Sequence, residues 1–399
     1  LLEQLDDQRN VDAGVQYRCT TDAYVDADIA EREWESFFQN HPQRIGLSGD
    51  LAEPNTFFTN DYVGTPILAT RDQNGTFRAY LNACRHRGTR LVSESRGSAR
   101  RFTCPFHSWT YSPAGELVGI PQEDHFGEVD RDCNRLICLP AIEHNGLLWV
   151  HPKPDGKIDL DTLLGKLGSE MASGDYERYQ YAGESIIPMR LNWKLANDTF
   201  GETYHFQKLH KNTLGQLFYG DALAYETIQR NHRFVFPSKA IDDMREVPQS
   251  EWSLGSSCNL LYYLFPNIQF NVGLNGYLAL IKIYPDPESP SRSITHVSHY
   301  FTPEVLAAAL TAEGDVIDAE NVYQSAGNTD ALRTLDSVKE VFRSTIEQED
   351  YLMGEGIQRS VESGLLSEVI FGRNEPALHH YHNTFRAALN LPPLKQIQS

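Results

Sequence analysis

The chain has 399 residues, with 54 Asp and Glu against 35 Lys and Arg, a formal net charge of -19. That excess excludes a nucleic-acid-binding surface, which needs concentrated Lys and Arg, and suits either solubility or the attraction of a basic redox partner. The length supports two hydrophobic cores, and no run of about 18 consecutive apolar residues offers a transmembrane span.

Residues 1–10 are polar and acidic, without the basic-then-apolar order of a secretory signal, so a cytoplasmic protein is expected. From Tyr62 to Trp149 short extended segments recur, among them residues 65–70 and 77–81. Asn74-Gly75 and Asn145-Gly146 separate several of them, and both dipeptides are hairpin signals. A small β domain is expected there. It carries two ligand-type pairs, Cys84-Arg85-His86 and Cys104-Pro105-Phe106-His107. Two thiolates and two neutral imidazoles fit an asymmetric [2Fe-2S] centre, with the cysteines on one iron and the histidines on the other. The same donor set also suits structural zinc. Cys19, Cys133, Cys138 and Cys258 lack ligand spacing and read as buried thiols or small hydrophobes.

The Pro152-Lys153-Pro154-Asp155-Gly156 stretch punctuates the exit from this domain, and residues 160–171 read as helix. Beyond it, strands are expected at 181–189, 229–237, 260–272, 278–284 and 295–301, and helices at 196–210, 303–312 and 332–355. Segregated strands and helices give an α+β second domain.

The segments Cys84-Arg85-His86-Arg87-Gly88 and Cys104-Pro105-Phe106-His107-Ser108-Trp109-Thr110-Tyr111 strongly resemble the Rieske domain of the Rieske non-haem iron oxygenases, the ring-hydroxylating oxygenase alpha subunits. The likeness continues through Asn192-Trp193-Lys194 and the run from Asn197 to His210, and covers nearly the whole chain from about Phe38. It implies an N-terminal segment, 1–37, that contributes to the catalytic domain, an all-β Rieske domain, 38–155, and a helix-flanked antiparallel-sheet catalytic domain, 156–399. Cys84, His86, Cys104 and His107 become the cluster ligands, Gly88 and Gly97 bends, and Ser108 and Tyr111 hydrogen-bonding partners that tune the cluster.

His205 and His210 resemble the family's mononuclear Fe(II) histidines. The register of Glu347-Gln348-Glu349-Asp350 selects Asp350 as the third ligand, with Glu349 its rival and Glu355 and Gln358 as supporting residues. Such a triad leaves open positions for O2. Residues five apart are rotated by roughly 140° on a regular helix, so the helix must widen, break or end between the two histidines. Glu202 stands where the family commonly has an Asp that bridges to a cluster histidine of the neighbouring protomer, and some members with Glu there oxidise quaternary ammonium compounds. The resemblance therefore implies a homotrimer, electrons from a ferredoxin and/or flavin reductase fed by NAD(P)H, and O2 as cosubstrate. It leaves a separate beta subunit open and calls for neither nucleic acid nor membrane. Asp198 is expected to orient substrate or iron-bound water, and Phe206, Tyr262, Tyr263, Leu264 and Phe265 to form an aromatic wall. That wall favours hydroxylation or dihydroxylation of an apolar aromatic substrate. The alternatives are demethylation of a quaternary ammonium or methoxy compound, and a non-enzymatic electron carrier, which leaves the triad unexplained.

Overall fold

The computed structural model describes residues 1–273, 276–311 and 335–397. The chain divides into a small unit, Trp34–Thr162 with Gly168–Tyr181, and a large unit, Leu1–Glu33, Leu163–Leu167 and Ala182–Ser399. Among the described residues no helix is long and apolar enough to cross a membrane.

The small unit is built from short antiparallel strands. A five-stranded sheet runs in the order Cys138–Leu139, Phe77–Leu81, Ile67–Arg71, Thr56–Asn60, Arg96–Ser98. Two three-stranded sheets complete it, one from Ala141–His144, Leu147–Val150 and Gln43–Leu47, the other from Phe102–Thr103, Thr110–Tyr111 and Leu117–Gly119. Asn145 (φ 49°) and Gly146 (φ 75°) both take positive φ between paired strands, as the right-handed twist of a two-residue hairpin requires. Gly97, expected at a bend, instead lies inside a strand, where a Cβ would meet Phe57 Cζ at 3.0 Å. The core joins Phe57, Leu68, Tyr80, Phe102, Trp109 and Tyr111 to Cys84 and Cys104.

The large unit centres on a seven-stranded antiparallel sheet. Its order is Gln180–Met189, Ser289–Phe301, Tyr277–Asp286, Ile268–Val272, Cys258–Leu264, Asn231–Pro237, Ala224–Ile228. The helices that matter for the site are α1 (Trp193–Asp198), α2 (Leu335–Thr345), α3 (Tyr351–Glu362) and α4 (Pro376–Ala388). A separate small sheet places Gln16–Thr20 between Glu368–Phe371 and Lys395–Ile397. Glu33 fixes the N-terminal segment to α1. Its buried carboxylate accepts from Lys194 Nζ (2.6 and 2.7 Å) and from Trp193 Nε1 (2.9 Å). Removing one partner of such a buried pair costs about 3–5 kcal/mol, because the other charge stays behind.

Several expected elements are shorter or broken. The strand at 260–272 is two strands joined through Phe265-Pro266. The helix at 160–171 breaks at Gly165, whose φ is +53°. The helix at 196–210 is corrected most: it ends at Asp198, and His205 and His210 lie on successive turns. Phe200 N–H bonding to Asn197 O and Gly201 N–H to Asp198 O already tighten the helix end. The expected helix at 332–355 begins, as described, at Leu335, widens into a π-helical turn at Ile346–Asp350 and continues to Glu362; residues 332–334 lie outside the described residues.

Candidate active site: two metal centres

In the small unit the two Cys/His loops have the same backbone geometry. Cys84 N–H donates to Thr89 O and Cys104 N–H to Trp109 O, both at 2.8 Å. Four residues after each cysteine, Gly88 and Ser108 return their N–H to the cysteine carbonyl at 2.9 and 3.0 Å. Both take positive φ, 76° and 56°. Ser108 thus contributes through its backbone, in a conformation glycine adopts freely. The loops bring His86 and His107 together, with ring centroids 4.6 Å apart, and Trp109 stacks on His86 at 5.0 Å. Cys84 and Cys104 are buried and outside any disulfide, as are Cys19 and Cys258, whereas Cys133 and Cys138 are exposed rather than buried.

The polar atoms of this region fit a metal cluster. Nδ1 of both His86 and His107 is buried without a hydrogen-bond partner among the described residues, a costly state unless each lone pair has a metal to bind. Burial first, and then the neighbouring His107 and Arg87, lower the pKa of His86, favouring the neutral ligand form. Tyr111 takes a hydrogen bond from Arg85 N–H (3.0 Å) and lies 3.5 Å from Cys84 Sγ, so its O–H is free to donate to sulfur.

The large unit assembles the second set. His205 Nε2, His210 Nε2 and Asp350 Oδ1 converge with separations of 3.1, 3.3 and 3.0 Å. The opposite ring nitrogens are held by carboxylates. His205 Nδ1 bonds Glu202, which also accepts the His205 backbone N–H at 3.1 Å. His210 Nδ1 bonds Glu349 Oε2 at 2.8 Å, and Thr213 donates to the same oxygen. Each imidazole is thereby oriented with one nitrogen aimed at a common point, the arrangement a carboxylate–histidine–metal site requires. Burial opposes charge on His205, but Asp350 and Glu202 outweigh it and raise its pKa to about 10. Burial likewise pushes Asp350 up, and the two imidazoles more than reverse it. His205, His210 and Asp350 would hold a divalent cation there, which would take the place of the shared protons.

The rival carboxylates are thus separated by position: Asp350 faces the convergence point, Glu349 the back of His210. The π-helical turn puts both near one histidine, a widening frequent at functional sites. Glu355 accepts Arg190 N–H, and Gln358 accepts Asn192 N–H, so both brace α3 against the segment leading into α1.

The expected pocket residues divide. Phe206 packs edge-on against His205 and His210 (5.1 and 5.5 Å), and Phe236 packs edge-on against Phe206. Phe218, Phe234, Leu261 and Leu223 extend this cluster. Strand alternation puts Tyr262 and Leu264 on the face opposite Leu261, and so away from this wall. Tyr263 shares the Leu261 face but is core, stacked on His232 at 4.9 Å with its O–H donating to Pro266 O. Phe265 packs beside Phe385 and Arg230. Asp198, expected to orient water or substrate, instead accepts from Tyr24 O–H (2.9 Å) and His382 Nε2 (3.0 Å). Sequence reasoning missed Phe234 and Phe236, although their alternation in residues 231–237 carried the signal. It also missed Tyr24 and His382, for which no local signal exists.

Residues 41–140 match the Rieske [2Fe-2S] domain family, and residues 173–390 match the ring hydroxylating alpha subunit catalytic domain family. The chain belongs to the Rieske non-haem iron oxygenase alpha-subunit family. The oxygenase is 24% identical to the carnitine monooxygenase oxygenase subunit of Acinetobacter baumannii over 80% of this chain and 84% of that one. It is 33% identical to the chlorobenzene dioxygenase alpha subunit of a Cupriavidus species, over 46% of this chain and 42% of that one. The crystal structure of the quaternary ammonium Rieske monooxygenase CntA with L-carnitine has the same fold, with a TM-score of 0.73 and 19% identity over 94% of this chain and 96% of that chain. The oxygenase is a Rieske-type mono- or dioxygenase whose cofactors are one [2Fe-2S] cluster and one mononuclear iron.

Proposed function

We propose that this oxygenase monooxygenates an N-alkyl carbon of a quaternary ammonium compound. In the balanced step, an N-methyl group of the quaternary cation, O2, two electrons and two protons give an N-hydroxymethyl cation and water. Loss of the hydroxyl proton and cleavage of the C–N bond then release formaldehyde, with the bonding pair leaving on the nitrogen of a tertiary amine. The observation that carries the reading is the match to carnitine monooxygenase along most of both chains, joined to Glu202 at the position where the family commonly has Asp. The Phe206, Phe218, Phe234 and Phe236 rings support it, since aromatic faces attract a desolvated ammonium by cation–π interaction. Oxygenation of an apolar aromatic substrate is the second reading, and it rests on the match to the chlorobenzene dioxygenase alpha subunit, which spans under half of each chain.

When loaded, the cluster supplies single electrons and the mononuclear iron supplies O2 activation. Cys84, Cys104, His86 and His107 hold the first group, and His205, His210 and Asp350 the second. Glu202 orients His205 through Nδ1 and keeps an exposed edge, 13% of its side chain, able to accept from a cluster histidine of a neighbouring protomer. A homotrimer is the assembly that provides this neighbour, with a closed head-to-tail ring as its symmetry. Exposed apolar side chains stand beside both ligand sets: Phe106 and Phe126 near His107 and His86, Tyr204 next in sequence to His205, and Leu352 and Met353 two and three positions after Asp350. A ferredoxin and/or flavin reductase is the electron donor in this scheme.

Two experiments test the reading. Quaternary amines, aromatic acids and aromatic hydrocarbons are compared under matched reducing conditions, with O2 uptake set against product. Formaldehyde and tertiary amine in proportion to O2 are expected. Oxygenated ring products with no formaldehyde overturn the substrate class and leave the oxygenase family intact. Mixed trimers of Cys104→Ala and Asp350→Ala chains are expected to regain activity that neither homotrimer has. No activity in verified mixed trimers overturns the route between protomers.

A further inference from the structure

Helix α4 grips the turn between α1 and His205 at two points. A Cβ on Gly201 would meet Leu378 Cδ1 at 2.3 Å and Tyr381 Cε2 at 3.0 Å, so α4 backs directly onto that turn. One residue further along the same helix face, His382 is 1% exposed and bonds Asp198 through Nε2 at 3.0 Å. Its Nδ1 lies 3.6 Å from Cys19 Sγ on the N-terminal strand, and Tyr24 O–H reaches both Asp198 (2.9 Å) and His382 Nε2 (3.4 Å). Tyr24 and His382, from two distant stretches, thus meet on Asp198, the last residue of α1 and four positions before Glu202, with Cys19 behind His382. We propose that His382, with Tyr24, is a positioning residue of the oxygenase: it holds Asp198 as one half of a buried ion pair and thereby fixes the turn that sets Glu202 against His205.

Burial opposes charge on His382, but the Asp198 carboxylate and the Cys19 thiol outweigh it and raise its pKa to about 10. The groups facing His382 are Cys19, Tyr24 and Asp198, and Glu375 adds its charge at Tyr24. An unpaired carboxylate left at this depth rotates towards other donors. A displacement of the turn passes to the His205 ring, where about 1 Å of misplacement costs on the order of 100-fold in rate.

The inference rests on His205 as an iron ligand. His205→Ala that keeps its iron and turnover overturns that reading by itself, without involving His382. The test compares His382→Gln, Asp198→Asn and the double variant, each with iron and cluster content measured. The readout is product per O2 and the rate at which a prereduced cluster is oxidised in one turnover. His382→Gln is expected to keep both cofactors and lose about tenfold in coupled rate with little change in KM, as for a broken charged hydrogen bond. The double variant, a neutral amide pair, is expected to recover most of that loss, which a merely destabilising change would not. Wild-type coupled turnover in His382→Gln, or a double variant no better than the single ones, overturns the proposal. Tyr24→Phe keeps the ring and removes one bond to Asp198, so it decides the matter if His382→Gln does not fold. It is expected to lose about threefold in coupled rate, and no loss overturns the proposal.

Discussion

The small and the large unit both use paired histidines, and they prepare them in opposite ways. In the small unit His86 and His107 keep Nδ1 bare and buried, on loops closed by hydrogen bonds five or fewer positions long, with Tyr111 reaching Cys84 from 27 positions away. In the large unit His205 and His210 converge through Nε2, while Nδ1 of each is held by Glu202 or Glu349, and Asp350 arrives from 140 positions beyond His210. A local site depends on loop shape, so its backbone does the orienting. A site gathered from distant elements depends on carboxylates that hold each ring in place. The choice of nitrogen follows from which side the protein has already occupied.

The largest expected effect separates the two regions outright. Asp350→Ala should abolish product and mononuclear iron while the visible Rieske spectrum persists, and Cys84→Ala should abolish product and the Rieske spectrum while mononuclear iron persists. Iron analysis with visible spectroscopy reads both, and loss of the two centres together in either protein would break the comparison. Glu349→Gln should weaken mononuclear iron binding by about 10–100-fold without removing a ligand, measured by competition with a chelator. Unchanged affinity would mean that His210 needs no carboxylate behind it. Tyr111→Phe is the smallest change. Losing an O–H···S bond of about 1 kcal/mol should lower the cluster potential by roughly 40 mV, because the donor stabilises the reduced, more negative sulfur. An unshifted potential in redox titration would remove Tyr111 from the tuning of the cluster.

Legibility in the sequence follows the same division. The Cys84 and Cys104 loops were readable because ligand spacing and turn residues are local. Asp350 was readable only through resemblance, since its partners lie far away along the chain. The roles of Glu349 and Asp198 were not readable. Glu349 turns to the back of His210 only because the helix widens at Ile346–Asp350, and Asp198 turns to α4 only because His382 stands 184 positions away. The Tyr262-to-Phe265 segment misled for a simpler reason: Tyr262, Tyr263 and Leu264 alternate sides of a strand and Phe265 opens the turn after it, so they cannot all face one pocket. The five-residue gap from His205 to His210 did carry its message, since it forbids a regular helix and the structure has turns there.

The small sheet that seats Gln16–Thr20 between Glu368–Phe371 and Lys395–Ile397 has a consequence for biosynthesis. The first of these strands finds neither edge partner until more than three hundred further residues have been made. Cys19 and Tyr24 wait with it for His382. The Cys84 and Cys104 loops lie wholly within Trp34–Thr162, and need nothing synthesised after Tyr181 to complete their unit. Domains fold as units in the order they emerge, so the topology schedules cofactor delivery. The iron–sulfur scaffold is complete once Tyr181 has been made, and the mononuclear iron site lacks its third ligand until Asp350 follows.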